Sequence, residues 1–270
     1  MMDHNRAPVL MLHGLFGSKR DFQSTAKRIG QLTGHAMYGI DLRNHGNSPQ
    51  GLPHTSEAMA HDVIQFIENR DWSIPPVLVG HSMGAKVAMF VSLLRPDLLS
   101  KLVVIDNAPV TRPLEQKFYD DLKGMCRLEA DYHQFCDKAP ADQSRHIDNV
   151  LSEYEPDPKV RFFLKTNIVK LKKMHLHAQP HALFRVPVQQ FLKHDVLHGL
   201  GLWPQLPKGT EAFSKPTLIL KAAGSEFIQS QDEFVDLFPC NKYEVYNCGH
   251  WIVSDAPNKF VEDMVRFLKV

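Results

Sequence analysis

A continuous apolar run passes directly into a serine flanked by two glycines in the stretch PVLVGHSMG, at residues 76–84. Its last five residues fit the pattern Gly-x-Ser-x-Gly, which places a serine on a sharp turn between a strand and a helix. Glycines are required at residues 80 and 84 because side chains there would clash across the turn. The pattern predicts a strand over 76–80, a helix over about 84–94, and a Ser82 hydroxyl raised above the edge of the sheet.

Strands and helices alternate on both sides of this stretch. Apolar runs bounded by turn residues predict further strands at 8–12, 36–40, 101–105, 217–220 and 243–246. Apolar residues at helical spacing predict helices at about 21–33, from Thr55 or Ser56 to about 67, at 230–238 and at 257–269. Alternation in this order indicates crossover units, and hence an α/β fold with a mostly parallel central sheet and helices on both faces.

The alternation stops at Pro109 and resumes at Pro216. The intervening residues 110–215 are too many for a simple loop and carry helical patterns of their own. They predict a helical cap inserted over the carboxyl edge of the sheet, with a core formed by residues 1–109 and 216–270. The large apolar residues of the insertion are expected in the interior of the cap rather than against a substrate: Phe162, Phe163, Leu164, Phe184 and Trp203.

Composition excludes several classes of protein. The chain has 270 residues with 31 Lys+Arg against 30 Asp+Glu, a net charge of +1, whereas a dedicated nucleic-acid binder usually has a basic excess. No apolar run approaches the ~18 residues of a membrane span, so no stable membrane insertion is expected. The four cysteines form no Cys-x-x-Cys pair and no signal peptide is visible, which predicts reduced thiols in an intracellular compartment. We predict no metal and no cofactor.

A serine nucleophile needs a base and an acid. His250, in NCGHW at 247–251, follows the last predicted strand, and no histidine comes after it. Two carboxylates follow predicted strands and are candidates for the acid: Asp106 after 101–105, and Glu226 after 217–220. An aspartate is shorter and loses less conformational entropy when it holds an imidazole, which favours Asp106 slightly. Position in the sequence alone does not decide between Asp106 and Glu226.

An oxyanion hole needs two backbone N–H donors. Met83, the residue after the serine, supplies one at the start of the predicted helix. The loop after the first strand, HGLFG at 13–17, supplies the other, and Leu15 is the expected donor because the flanking glycines let the backbone approach closely. His13 and His81 lie near these turns and are interpreted as structural.

These motifs resemble a known family. HGLFGSK at 13–19, DLRNHGNSP at 41–49 and GHSMGAK at 80–86 are similar to the α/β-hydrolase branch that includes α/β-hydrolase domain-containing protein 11, bacterial YbfF-like esterases and yeast ethanol acetyltransferases. IDNAP at 105–109 and FRVPV at 184–188 resemble the fungal members most. The resemblance implies that Asp106 is the acid and that eukaryotic members are mitochondrial. Gly84-Ala85 stands where two glycines are more usual.

Three functions follow from these features. The leading hypothesis is a serine esterase or thioesterase that acts on small acyl esters or thioesters through an acyl-enzyme, with a small apolar pocket for acetyl and short-chain groups. The second is an alcohol acetyltransferase that passes acetyl from acetyl-CoA to ethanol. The third is a non-catalytic binding module on a hydrolase scaffold. No coenzyme A site is evident in 110–215, where a run of lysines (Lys165, Lys170, Lys172 and Lys173) is more typical of a solvated face.

Overall fold

The computed structural model describes residues 6–169 and 183–269. A single sheet of six strands, all paired in parallel, runs through its centre. The strands are β1 (Val9–Leu12), β2 (Met37–Ile40), β3 (Val77–His81), β4 (Lys101–Ile105), β5 (Thr217–Ala222) and β6 (Asn241–Tyr246). They are arranged in the order β2-β1-β3-β4-β5-β6, which confirms the predicted parallel sheet.

The strand order places a crevice at the carboxyl ends of β1 and β3. The chain leaves β1 towards one edge to form β2, then returns to form β3 on the other side of β1. Ligands of open α/β sheets bind at such a reversal, because the connections diverge there to opposite sides. The loop after β1 and the turn after β3 are the two glycine-rich motifs of the sequence, so the topology brings them together.

Ten α-helices lie in the described part of the chain. They are α1 (Gln23–Thr33), α2 (Ser56–Glu68), α3 (Met83–Leu94), α4 (Gln116–Ala130), α5 (Pro140–Ser152), α6 (Pro158–Lys165), α7 (Val188–Lys193), α8 (Val196–Gly201), α9 (Ile252–Asp255) and α10 (Pro257–Lys269). Thr55 caps α2 by accepting a hydrogen bond from the Ala58 N–H, and α1 ends at Gly34 in a left-handed conformation. None of the helices in these residues has both the length and the apolar character of a membrane span.

Helices cover both faces of the sheet. Alternate residues of the inner strands point to opposite faces, and apolar side chains on each face pack against helices. Leu10, Leu78 and Leu102 pack with α2 and α3 on one face. Val9, Val77 and Val103 pack with α1 and α10 on the other. The central strands are therefore apolar at successive positions, which explains why their sequence reads as uninterrupted hydrophobic runs.

We call residues 106–216, between β4 and β5, the β4–β5 segment. Its described residues, 106–169 and 183–216, contain five helices, α4 to α8. Leu164 and Phe184 are buried there, as predicted for the interior of the insertion, but the prediction for Phe162 is wrong because its side chain is 70% exposed. The predicted helix at 230–238 is also wrong: only a 3₁₀ turn, Gln231–Phe234, is present. The Leu237 carbonyl accepts instead from the Phe213 N–H, and Pro239 has no N–H to continue a helix.

Candidate active site

Ser82 occupies a strained turn between β3 and α3. Its backbone angles are φ 53° and ψ −118°, a conformation that costs a non-glycine residue about 1–3 kcal/mol. A Cβ atom at Gly80 would lie 2.2 Å from the Gly84 carbonyl oxygen, and one at Gly84 would lie 2.5 Å from the Leu12 carbonyl oxygen. Both glycines of the motif are thus required by backbone atoms that cannot move aside. The Asn107 amide braces the turn by donating to the Ser82 carbonyl over 3.0 Å.

His250 joins Ser82 to Asp106. Its Nε2 lies 2.8 Å from the Ser82 Oγ, and its Nδ1 lies 2.7 Å from the Asp106 Oδ2. In the neutral imidazole with Nδ1 protonated, His250 donates to the carboxylate and accepts the hydroxyl proton of the serine. All three side chains are buried, although they come from positions separated by up to 168 residues. The structure therefore brings together the predicted serine, histidine and aspartate.

The Asp106 carboxylate is positioned to accept hydrogen bonds from both sides. Its φ of 51° turns the chain sharply after β4, and its Oδ1 accepts from the Ala222 N–H at 3.0 Å. Burial alone would raise the pKa of Asp106, but hydrogen bonds from His250 and the neighbouring groups outweigh burial and lower it. Asp106 is therefore ionised at neutral pH. Glu226, the other candidate acid, is exposed and makes no hydrogen bond to His250.

The loop after β1 forms a tight turn beside Ser82, closed by the Gly17 N–H donating to the Gly14 carbonyl at 3.0 Å. The Phe16 N–H donates to His45 Nε2 at 3.2 Å, so it is already engaged. The N–H groups of Leu15 and Met83 donate to no acceptor within residues 6–169 and 183–269. These two remaining donors are the ones that the sequence predicts for an oxyanion hole.

Known proteins resemble this chain in sequence and in fold. A family model described as alpha/beta hydrolase fold matches residues 7–257. The chain belongs to this family. The sn-1-specific diacylglycerol lipase ABHD11 of Mus musculus is 34% identical over 264 residues, covering 96% of this α/β-hydrolase and 80% of the relative. A probable alcohol acetyltransferase of Saccharomyces cerevisiae is 31% identical over 273 residues, covering 98% and 78%.

A solved structure shows the same similarity. The marine microorganism esterase superposes on this α/β-hydrolase with a TM-score of 0.80 and 25% sequence identity, covering 97% of this chain and 95% of the esterase. The family, the fold and a hydrolase type of enzyme are therefore established for the chain. The resemblance inferred from its motifs is confirmed.

Two phenylalanines surround His250 in this α/β-hydrolase, and neither was identified from the sequence. The Phe227 ring stacks on the imidazole with centroids 4.5 Å apart, and Phe118 of α4 meets it edge-on at 6.3 Å. Arg112 fixes Phe227 by donating to its carbonyl at 2.6 Å. Phenylalanines have no local pattern that marks them as neighbours of a distant histidine, so only the folded chain reveals this apolar wall.

Four further histidines are enclosed, and we call them the buried histidines: His13, His45, His54 and His81. His13 and His81 belong to the two glycine-rich motifs, and the His45 ring lies between those of His13 and His54, with centroids 5.1 and 5.4 Å away. Burial lowers the pKa of each, to about 4 for His13, to about 3 for His54 and His81, and well below its ordinary value for His45. They are therefore neutral at pH 7. His81 Nε2 donates to the His250 carbonyl at 2.9 Å, and His13 Nε2 accepts from the Leu42 N–H at 3.0 Å. Both contacts fit the structural roles predicted for His13 and His81.

Within the described ranges, no group of three or more His, Cys, Asp or Glu side chains is arranged to hold a metal ion. Of the four lysines noted in the sequence, Lys165 pairs with Asp148 at 2.7 Å. Lys170, Lys172 and Lys173 lie outside the described residues.

Proposed function

We propose that this protein is a serine hydrolase that cleaves short-chain acyl esters or thioesters through an acyl-enzyme. Ser82 is the nucleophile, His250 the general base and Asp106 the acid that orients it. The observation that carries the proposal is the pair of hydrogen bonds, 2.8 and 2.7 Å long, that link Ser82 to His250 and His250 to Asp106. Such a chain of nucleophile, base and orienting carboxylate is the arrangement that activates a serine hydroxyl.

In the first half-reaction, Ser82 Oγ attacks the acyl carbonyl carbon while His250 Nε2 takes the hydroxyl proton. Negative charge develops on the carbonyl oxygen, and the N–H groups of Leu15 and Met83 stabilise it. The N-terminus of α3 adds positive partial charge at the same point. The intermediate then expels the alcohol or thiol, which receives the proton from His250. Asp106 stabilises the imidazolium that exists between these two proton transfers.

In the second half-reaction, water attacks the acyl-enzyme and His250 again takes and returns a proton. Hydrolysis and transfer differ only in whether water or an alcohol performs this attack. The second candidate function, acetyl transfer to an alcohol such as ethanol, is favoured by one observation, the 31% identity to a probable alcohol acetyltransferase. The third hypothesis, a binding module without catalysis, has no such support, because the hydrolase family and the hydrogen-bonded Ser82 and His250 both favour an enzyme.

We also propose that residues 110–215 act as a cap over the core formed by residues 1–109 and 216–270. Phe118 of α4 reaches the His250 ring, and the buried Lys86 Nζ of α3 donates to the Leu200 and Gly201 carbonyls at the end of α8. These contacts support a segment that closes the site from above. Phe118 and Phe227 place two apolar rings against His250, which supports an apolar acyl group as the part of the substrate held there. We propose acetyl and short-chain acyl groups as substrates.

Two incubations of the purified protein separate the candidate reactions. Release of p-nitrophenol from p-nitrophenyl acetate measures hydrolysis, and gas chromatography of ethyl acetate from acetyl-CoA plus ethanol measures transfer. We expect the wild type to release p-nitrophenol and the Ser82→Ala variant to lose this activity. Ethyl acetate without detectable hydrolysis would instead support the acetyltransferase. The mitochondrial location implied by the resemblance stays a prediction, which microscopy of the tagged full-length protein tests.

A further inference from the structure

Phe16 has an unusual backbone conformation for a large residue. Its φ of 58° lies in the left-handed region, at the third position of the turn from Gly14 to Gly17. A turn with a positive φ at this position ordinarily takes glycine or asparagine there, because a side chain is strained. The strained residue follows Leu15, whose N–H is one of the two proposed oxyanion donors. Something outside the turn must therefore hold it in place.

Two buried side chains hold the peptide groups on either side of Phe16. On one side, its N–H donates to Nε2 of His45, whose own Nδ1–H donates to the Arg43 carbonyl at 3.0 Å. On the other side, the Phe16 carbonyl accepts from Asn167 Nδ2 at 2.6 Å. Asn167 is only 3% exposed and lies 151 residues further along the chain, in the β4–β5 segment.

Asn167 is itself fixed by its backbone. Its N–H donates to the Leu164 carbonyl at 3.1 Å, at the end of α6, and its carbonyl accepts from the Arg185 N–H at 2.9 Å. The adjacent residue, Ile168, forms a bridge with Phe184. The amide of Asn167 therefore reaches the loop after β1 from a backbone that is hydrogen-bonded through both its N–H and its carbonyl.

We infer that Asn167 is a positioning residue that sets the direction of the Leu15 N–H in the oxyanion hole. This inference rests on the proposed function. With both peptides beside Phe16 anchored, the turn is held in its strained form, and the Gly17 N–H stays bonded to the Gly14 carbonyl. That carbonyl shares a peptide group with the Leu15 N–H, so the same contacts set the direction of the Leu15 donor. Without the Asn167 donor, the buried Phe16 carbonyl is unpaired, and the turn relaxes by rotating that peptide. Through this contact, the β4–β5 segment completes the oxyanion hole instead of only covering it.

The segment has other attachments to the core, so losing the Asn167 amide does not release it. Lys86 Nζ donates to the carbonyls of Leu200 and Gly201 at 3.2 and 3.0 Å. Gln50 Nε2 donates to the Arg185 carbonyl at 2.8 Å. A change at Asn167 therefore alters the loop more than the docking of the segment, which makes the inference testable by kinetics.

The test compares Asn167→Asp and Asn167→Ala with a matched control. Asn167→Asp keeps the shape and removes the donor, and Asn167→Ala removes the donor without burying a charge. Gln143→Glu makes the same amide-to-carboxylate change at a residue whose amide donates to the Cys136 and Lys138 carbonyls, inside the same segment. Complete labelling with a fluorophosphonate counts the active sites of each variant, so that rate constants refer to folded enzyme only.

We expect kcat per titrated site to fall about 10- to 100-fold in both Asn167 variants, less than the ~10²–10³-fold loss caused by deleting an oxyanion donor outright. KM stays within about threefold, and the Ki of an alkylboronic acid, which forms a tetrahedral adduct at Ser82, rises in parallel with the loss in kcat. Gln143→Glu keeps kcat within about twofold. Fewer titrated sites with unchanged kcat per site would overturn the inference and make Asn167 merely structural. Failure of the wild type to label at Ser82 would refute the proposed function instead.

Discussion

Replacing Asp106 by Asn removes the negative charge beside His250 while keeping the size of the side chain. In the wild type, Oδ1 of Asp106 accepts from the Ala222 N–H at 3.0 Å and Oδ2 accepts from His250 at 2.7 Å. An asparagine that keeps the first contact must turn its NH₂ group towards Nδ1. That donor favours the tautomer with the proton on Nε2, and Nε2 can then no longer accept the Ser82 proton.

The expected loss in kcat/KM is about 10⁴-fold, which corresponds to about 5.4 kcal/mol of activation free energy. Two effects contribute to this loss in kcat/KM: the imidazole takes the wrong tautomer, and the imidazolium is no longer stabilised by a negative charge. Initial rates with p-nitrophenyl acetate, corrected for the background of Ser82→Ala, measure it. Glu226→Gln is the matched control, because this exposed carboxylate makes no contact with His250 and its loss should change kcat/KM by less than about tenfold. The reverse order of the two variants would refute the assignment of the acid.

Three further predictions concern packing, pH and substrate length. Gly80→Ala lowers the melting temperature strongly in calorimetry, since its Cβ would lie 2.2 Å from a backbone oxygen, whereas Gly199→Ala, with open space around it, does not. The four buried histidines bind protons more readily in the unfolded chain than in the folded one. Their contribution to the free energy of unfolding is therefore complete above about pH 6.5 and is lost as pH falls towards 4, by roughly 1.4 kcal/mol per pH unit for each histidine. Burial raises the pKa values of Asp21 and Asp121 to about 6 and 8, so these two groups oppose the loss of stability, but the four histidines outnumber them. A melting temperature that rises between pH 7.5 and pH 5 would contradict the prediction. For p-nitrophenyl esters from C2 to C12, kcat/KM is highest for short acyl chains and declines gradually as the chain lengthens. A maximum at C10 or longer would exclude the small pocket.

The sheet was predictable because its strands are covered on both faces. The central strands β1, β3 and β4 are apolar at nearly every position, and a glycine or aspartate lies within two residues of the end of each apolar run, so the sequence signal is strong and local. The serine and histidine followed from their places after β3 and β6. The acid did not, because Asp106 and Glu226 both follow strands and only the folded chain shows which carboxylate reaches His250.

The missed features depend on contacts between distant residues. The chain at 230–238 has the apolar spacing of a helix, but the Leu237 carbonyl pairs with Phe213, 24 residues earlier in the chain. The roles of His45 and Asn167 arise from hydrogen bonds that span 29 and 151 residues. No local pattern records such contacts, which is why the sequence predicted the oxyanion loop but not the side chains that hold it. The division into core and cap stays a prediction.

If Ser82 is the nucleophile that forms the acyl-enzyme, a phosphonyl adduct can be trapped on the same oxygen. The wild-type protein is treated with a fluorophosphonate at pH 7.5, and intact-mass and peptide mass spectrometry locate the adduct. We expect one phosphonyl group per chain, on the peptide that contains Ser82, and none on folded Ser82→Ala. Stoichiometric labelling of the Ala variant, or an adduct on any other residue of the wild type, would contradict it.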